Sequence, residues 1–528
     1  MFFNKPKQNT QNMLESNATL KYSMIFYSFI IGILSGLIIV VYRILGEILL
    51  KHMVNIYNAA KTNPLHMVGV FAMLIVAAVF VAFCVRKEPD ISGSGIPQVE
   101  GVVTRRLKTN WLKVLIYKFF GGITALAAGL SVGREGPSIQ MGAAVGAILS
   151  KKAGRMDHER KYLLTSGASA GLAAAFNAPL AGVMFALEEV HKNFSPVVLL
   201  SAMTSAVTAD MVAKSVFGIV PALEFRTLSK MPLKYYWSLA ILGVLMGLSS
   251  FVFNHGVIKA KHIYKKLPVS IEFKIMIPFI CSGIIGMSLP VLIGGGHAII
   301  EELSFAKFSI LTILAFLIIK YLFTFVSFGS GVPGGIFFPL LGLGAMLGSA
   351  FGLLCVNYLN IPKEYLLNFA VLAMAAHFAA IVKAPITGII LIFEMTGSFE
   401  QLLPLSVVVF TAMVTSDLLG VEPVYDMLLE DILKNKKEAK GIKEDETMKD
   451  KKTLLELSVH LGSKVENKPV AELDLPSNCL LVSVQRGSAE IIPRGNTKIL
   501  AGDMLLVMVN QSESAAMLEY MTEITSEV

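Results

Sequence analysis

The stretch GPSIQMGAAVG at residues 136–146 recurs 202 positions later as FPLLGLGAMLG at residues 338–348. Pro137 and Pro339 both stand second, and glycines keep one four-residue spacing, Gly142 and Gly146 against Gly344 and Gly348. Proline early in a helix loses no hydrogen bond, and small residues four apart let two helix backbones approach closely. A second echo sets Asn177-Ala178-Pro179-Leu180-Ala181-Gly182 against Lys383-Ala384-Pro385-Ile386-Thr387-Gly388 and carries Glu188 onto Glu394. Small-residue packing can produce one such match by chance. Two matches at nearly one offset point to two related halves.

The solvent for these halves is lipid. Of 528 residues, 54% are hydrophobic and 16% charged, and the mean hydropathy is +0.65, which excludes an ordinary soluble domain. Met67–Val85 and Ile275–Gly296 run without a charge, for about the 20 residues a bilayer core requires. Lipid-exposed backbone must satisfy its own hydrogen bonds, so helices are expected. Several apolar pieces, such as 138–150, 179–187 and 385–393, are too short to cross and are bounded by Gly or Pro. Helix ends at membrane depth are tolerated only around a cavity or site, and duplicated halves with broken helices are the mark of a transporter or pore.

A net charge of +8 does not indicate nucleic acid here. The cations sit beside apolar spans, as Arg105, Arg106 and Lys108, or Lys151, Lys152, Arg155, Arg160 and Lys161, which fits cytoplasmic loops. Cys84, Cys281, Cys355 and Cys479 lie far apart without metal-ligand spacing and read as packing residues. The polar first twenty residues show no cleavage signature before a first span at 23–50, so the amino terminus is expected in the cytoplasm. From Glu430 to Lys452, 15 of 23 residues are charged, a solvated linker. Beyond it, Leu480–Val484, Glu490–Ile492 and Met504–Val509 are β-prone runs separated by turns at 486–488 and 501–503, so a small α/β module ends the chain. The expected boundaries are 1–22 for a cytosolic segment, 23–430 for the membrane region, 431–452 for the linker and 453–528 for the module.

An anion site inside a membrane needs fixed partial positive charge, which helix amino termini supply through unpaired N–H groups. Three segments have the right form: Gly93-Ser94-Gly95-Ile96-Pro97, Gly133-Arg134-Glu135-Gly136-Pro137 and Gly334-Gly335-Ile336-Phe337-Phe338-Pro339. Singly, each is compatible with an ordinary loop or helix-packing turn. Glu135, at such a helix start, would compete with an anion for the same positive field, sitting in when ionised and leaving when protonated; the plainer reading is an ion pair with Arg134.

Taken in order, the three segments resemble the signature regions of the CLC family of chloride channels and exchangers, with Phe338 where alanine is frequent. The resemblance runs from about Ser23 to Glu430 and takes in Lys118-Phe119-Phe120-Gly121-Gly122 and Pro423-Val424-Tyr425. It implies an all-α polytopic fold of two inverted halves of broken, tilted helices, and a homodimer with one pathway per subunit. It also implies a central chloride held by the hydroxyls of Ser94 and Tyr425 and the N–H groups of Ile336 and Phe337. Without the family, Tyr425 reads as an interfacial anchor and Ser94 as a helix cap. The family further implies that Glu135 is external gate and proton acceptor, and that Glu189 is the internal proton-transfer acid, where family channels carry an apolar residue. The alternative for Glu188 and Glu189 is a plain cytoplasmic helix end.

The implied activity is exchange of chloride for protons across a bacterial plasma membrane, with both termini cytoplasmic, no metal, no cofactor and no enzymatic chemistry. A passive voltage- or proton-gated chloride channel of the same fold is the alternative. The tail resembles TrkA-C (RCK-C) modules at Gly462-Ser463-Lys464, Leu473-Asp474-Leu475-Pro476, Arg486-Gly487 and Ala501-Gly502-Asp503, which implies pairing with a second copy and a small regulatory nucleotide. A potassium pathway, suggested by the tail alone, lacks the Thr-Val-Gly-Tyr-Gly filter. Ser94 and Tyr425 point to chloride rather than fluoride. His377, in an apolar run, reads as a packed residue rather than part of a proton path.

Overall fold

A computed structural model describes residues 6–155, 157–192, 195–219, 228–303, 308–439, 452–460, 462–473, 475–476, 478–486, 489–510 and 514–526. The chain divides into two units, Met1–Glu430 and Asp431–Val528.

The first unit is helical. Its first half comprises α1 (Pro6–Ala60), α2 (Pro64–Lys87), α3 (Ile96–Val103), α4 (Trp111–Ala127), α5 (Glu135–Lys152), α6 (Asp157–Phe176), α7 (Pro179–Phe185) and α8 (Pro196–Phe217). The second comprises α9 (Tyr236–Lys266), α10 (Ile271–Ser288), α11 (His297–Leu303), α12 (Ile310–Gly329), α13 (Phe337–Tyr358), α14 (Leu366–Val382), α15 (Pro385–Thr396) and α16 (Leu402–Leu418). The helix α17 (Val424–Ala439) follows. Among the described residues, nine helices are long and apolar enough to cross a membrane. Of the others, α3, α7 and α11 have eight residues or fewer, far short of about 30 Å of hydrocarbon at 1.5 Å per residue.

The repeated glycines explain why each half folds as it does. A Cβ at Gly142 or Gly146 would strike the carbonyl of Gly167 or Leu163 on α6, and one at Gly344 or Gly348 would strike that of Ala373 or Phe369 on α14. The helix pairs α5–α6 and α13–α14 are thus one packing motif built twice. Asn177 and Lys383, partners in the second echo, both adopt left-handed φ, 55° and 67°.

Two expectations needed adjustment. The charge-free run 275–296 is not one span: α10 stops at Ser288, Pro290 opens a short turn, and Gly294 and Gly296 take φ of 69° and 123°. The first helix extends well beyond 23–50, because nothing breaks it before Thr62-Asn63-Pro64.

The second unit holds an antiparallel sheet of β1 (Lys452–Ser458), β2 (Cys479–Arg486), β3 (Ala489–Ile491) and β4 (Met504–Asn510) in the order β1-β4-β2-β3. Helix α18 (Ser514–Thr525) closes it. Alternate residues of β4, Leu505, Val507 and Val509, point into a core with Leu457, Val484 and Met521. Strand β1 went unread because it begins where the charged run ends. Part of that run, to Ala439, is helical in α17; residues 440–451 and the turn at 487–488 lie outside the described residues.

Candidate anion site

The three Gly/Pro segments interlock through backbone bonds. Gly93 N–H donates to Val332 O at 3.1 Å and Gly334 N–H to Gly93 O at 3.0 Å, while Gly133 and Gly335 exchange bonds of 2.6 and 2.8 Å. A buried ammonium secures each half. Lys118 Nζ donates to Ile91 O at 2.7 Å and Gly93 O at 2.6 Å, and Lys320 Nζ to Leu292 O at 2.9 Å and Gly294 O at 2.6 Å. The loop 294–296 is therefore the second half's counterpart of 93–95, with glycines left-handed at matching places. Reading the 202-residue offset from Lys118 to Lys320 would have found it.

The structure brings the expected anion-site residues to this clamp. Ser94 is buried and its Oγ accepts the Ile96 N–H at 3.3 Å, a cap at the mouth of α3. Gly136 packs so closely on Ser94 that a Cβ there would lie 2.9 Å from the serine Cβ, and Gly335 rests against Gly136. Ile336 and Phe337 open α13, both fully buried. The Phe337 ring lies 5.9 Å from Phe185, whose other edge meets Tyr425 at 6.5 Å. The Tyr425 hydroxyl is buried and has no hydrogen-bond partner among the described residues, so the ring is not exposed as an interfacial anchor would be.

Glu135 is the first residue of α5 and 1% exposed. Its Oε2 is buried without a partner, and the Phe338 N–H faces the carboxylate. Arg134 Nε stands 3.9 Å from Oε1, while its guanidinium bonds to Glu47, itself 3.2 Å from Arg43. Arg134 thus bonds Glu47 while remaining at ion-pair distance from Glu135, so the local ion-pair reading of Glu135 stays open. A cavity of about 580 Å³, walled by Arg43, Glu47, Lys51, Arg134 and His297, reaches Glu135 from one side.

Adjacent acids 188 and 189 do different work. Glu188 accepts the Ile386 and Thr387 N–H groups at 3.3 and 2.8 Å, capping α15; Glu394 accepts those of Leu180 and Ala181 at 3.1 and 2.8 Å, capping α7. Glu189 sits in the π-helical turn Ala186–His191, 3% exposed, with Oε1 unpartnered. One carboxylate oxygen each of Glu100, Glu189 and Asp426 lie within 4.8 Å of one another. Lys192 bonds Glu100 at 2.8 Å and also Asp426, so an ammonium joins two of the three acids. Nothing in the local sequence announced this cluster. The Tyr425 phenol is near enough to feel the charge of both Glu189 and Glu135. His377 is satisfied on both ring nitrogens, by Leu340 O at 2.9 Å and Ser249 Oγ at 3.0 Å.

Residues 76–417 match the family model described as voltage gated chloride channel, and residues 454–522 match the TrkA-C domain. The chain is 35% identical over 444 residues to the H(+)/Cl(-) exchange transporter ClcA of Vibrio vulnificus, covering 82% of this chain and 95% of that one. ClcA of Vibrio cholerae is 35% identical over 453 residues, with coverages of 82% and 94%. Among solved structures, a slow cyanobacterial Cl-/H+ antiporter superposes with a TM-score of 0.73 at 30% identity, covering 78% of this chain and 98% of that one. A CLC-type fluoride/proton antiporter superposes with a TM-score of 0.64 at 22% identity, covering 76% and 97%, a likeness of fold alone.

Proposed function

The chain belongs to the voltage-gated chloride channel family, and from that premise we propose that it exchanges chloride for protons across a membrane, with Glu135 as the gate both ions share. It is a multi-pass membrane transporter. The observation that supports the mechanism is a buried carboxylate at the start of α5 that faces the Phe338 N–H and stands next to Gly136, which packs on Ser94, with Tyr425 joined to Phe337 through the Phe185 ring and a second buried acid at Glu189.

Ionised, Glu135 lies against N–H groups at the openings of α5 and α13 and stands where an anion would stand. Protonated, it no longer draws on that field, and chloride takes the place. Ser94 and Tyr425 hydroxyls and the N–H groups of Ile336 and Phe337 then hold chloride by dipoles alone, which permits fast release. Glu189, beside the water-facing cluster of Glu100, Asp426 and Lys192, supplies and removes the proton on the other side. Because one carboxylate must be protonated to admit the anion, the two fluxes are coupled. No cofactor is required beyond the transported ions.

The same reading makes residues 23–430 the transport domain of a homodimer with one pathway per subunit, in a bacterial plasma membrane. The cations at 105, 108, 151, 160 and 161 support a cytoplasmic side for these loops, and the same reading takes both termini as cytoplasmic. Residues 453–528 act as a regulatory module for a small nucleotide. In reconstituted vesicles recording chloride and pH together, Glu135→Ala should pass chloride without moving protons. Proton pumping that survives in that variant would refute the gate, and a wild-type reversal potential indifferent to a proton gradient would leave the passive channel instead.

A further inference from the structure

The turn after α3 and the adjoining ends of α5 and α6 line an open cavity of about 390 Å³, distinct from the one that reaches Glu135. Its wall carries Arg105, Lys108, Lys151, Arg160 and Lys161, with Trp111 beside them and no carboxylate among the described lining residues. Several cations of the first unit have an acidic partner, such as Arg106 with Glu430, Arg155 with Glu159, Lys192 with Glu100, Lys214 with Asp210 and Lys383 with Asp417. By contrast, Arg105, Lys108, Lys151 and Lys161 make no ion pair with a described residue.

A positive-inside surface requires cations on one side of the membrane, but it does not require them to converge. Cations gathered on one concavity repel one another unless an anion joins them. Arg105 is held there by a left-handed backbone, φ 61°, and Arg160 and Lys161 stand near the start of α6, where the helix field adds to theirs. The transport pathway, as read above, holds its anion by dipoles so that it can leave. Four whole charges without an ion pair to a described residue suit an anion that is multiply charged and stays, and guanidinium with ammonium is the usual grip on phosphate. The volume leaves room for part of the phosphate's bearer, and Trp111 offers it an apolar face. We propose that this cavity is a binding site for a phosphate-bearing anion, either a phospholipid headgroup or a soluble phosphorylated compound.

The chain contains two tryptophans, Trp111 and Trp237, so Trp237→Phe leaves one indole, in the cavity wall. The full chain carrying that change would be placed in phosphatidylcholine nanodiscs and titrated with sodium triphosphate, with sodium chloride at matched ionic strength as control. A second set of discs would contain phosphatidylglycerol. A saturable change of Trp111 emission with triphosphate in phosphatidylcholine marks a soluble phosphate ligand. A change brought by phosphatidylglycerol, with triphosphate silent in phosphatidylcholine, marks a headgroup. Either response should weaken about tenfold in Arg105→Gln/Lys161→Gln and likewise in Lys108→Gln/Lys151→Gln, with chloride/proton exchange unchanged in both. No saturable response to either probe, or an equal response in both double variants, overturns the site.

Discussion

An acidic side chain one residue into a buried helix has two stances, in the helix field when charged and out of it when neutral, and position 135 takes its meaning from that choice. Position 189 has a different task, because its neighbour Glu188 shows what a purely structural carboxylate looks like there. Glu188 spends both oxygens on the amides of Ile386 and Thr387, whereas Glu189 keeps Oε1 unpartnered in a dry turn. A buried oxygen without a partner among the described residues costs stability, and the proposed proton transfer would give that cost a use. Replacing Glu189 by Val should therefore remove the proton transfer and not the fold: chloride uptake into vesicles continues while proton movement falls to background. Unchanged proton coupling in Glu189→Val would return the residue to a plain helix end.

Two short helices, α7 and α15, each begin on proline and each have their first amides capped by a carboxylate from the carboxy-terminal end of the other, Glu394 in α15 for α7 and Glu188 just after α7 for α15. Glu394→Ala would strand the Leu180 and Ala181 amides, at about 1–3 kcal/mol. The expected result is a lower unfolding temperature in detergent with the chloride-to-proton ratio unchanged; a changed ratio would give Glu394 a place in transport. The echo at 177–188 and 383–394 disclosed that these elements correspond, but not that their acids cross over, because reciprocal capping is a tertiary fact with no local pattern. The three proline-bearing loops were legible because Gly and Pro restrict backbone in ways a reader can infer. The fourth, Gly294-Gly295-Gly296-His297, was hidden: it lacks proline and trails an apolar run, so it passed for the end of a span. Strand β1 was masked by the charged residues before it, and the bonds of Lys192 to Glu100 and Asp426 join residues too distant in sequence for any spacing rule.

The chain is two units with separate cores, one arranged for lipid and one for water, and they should respond differently to acid. In the second unit Asp503 is buried and accepts Arg486 Nε at 2.8 Å, Arg486 Nη2 at 2.7 Å and the Leu500 N–H at 2.9 Å. Burial pushes this carboxyl up, but the Arg486 side chain, the Leu500 amide and the guanidinium charge outweigh it, so it titrates below its ordinary value. A carboxyl held low in the folded state stabilises fully above its unfolded pKa of about 3.9 and loses that contribution as pH falls toward its folded value. As pH falls below about 4 toward the folded value, the unfolded module takes up a proton that the folded one does not. The loss is at most about 1.4 kcal/mol per pH unit, or about 6–11 °C for a domain of this size. Calorimetry of the full chain should show a tail transition that falls over this interval. Asp503→Asn should start lower at neutral pH and fall less, leaving only the share of other carboxyls such as Glu523, which Lys464 also holds low. An equal acid shift in Asp503→Asn would show that this ion pair does not set the acid response of the tail.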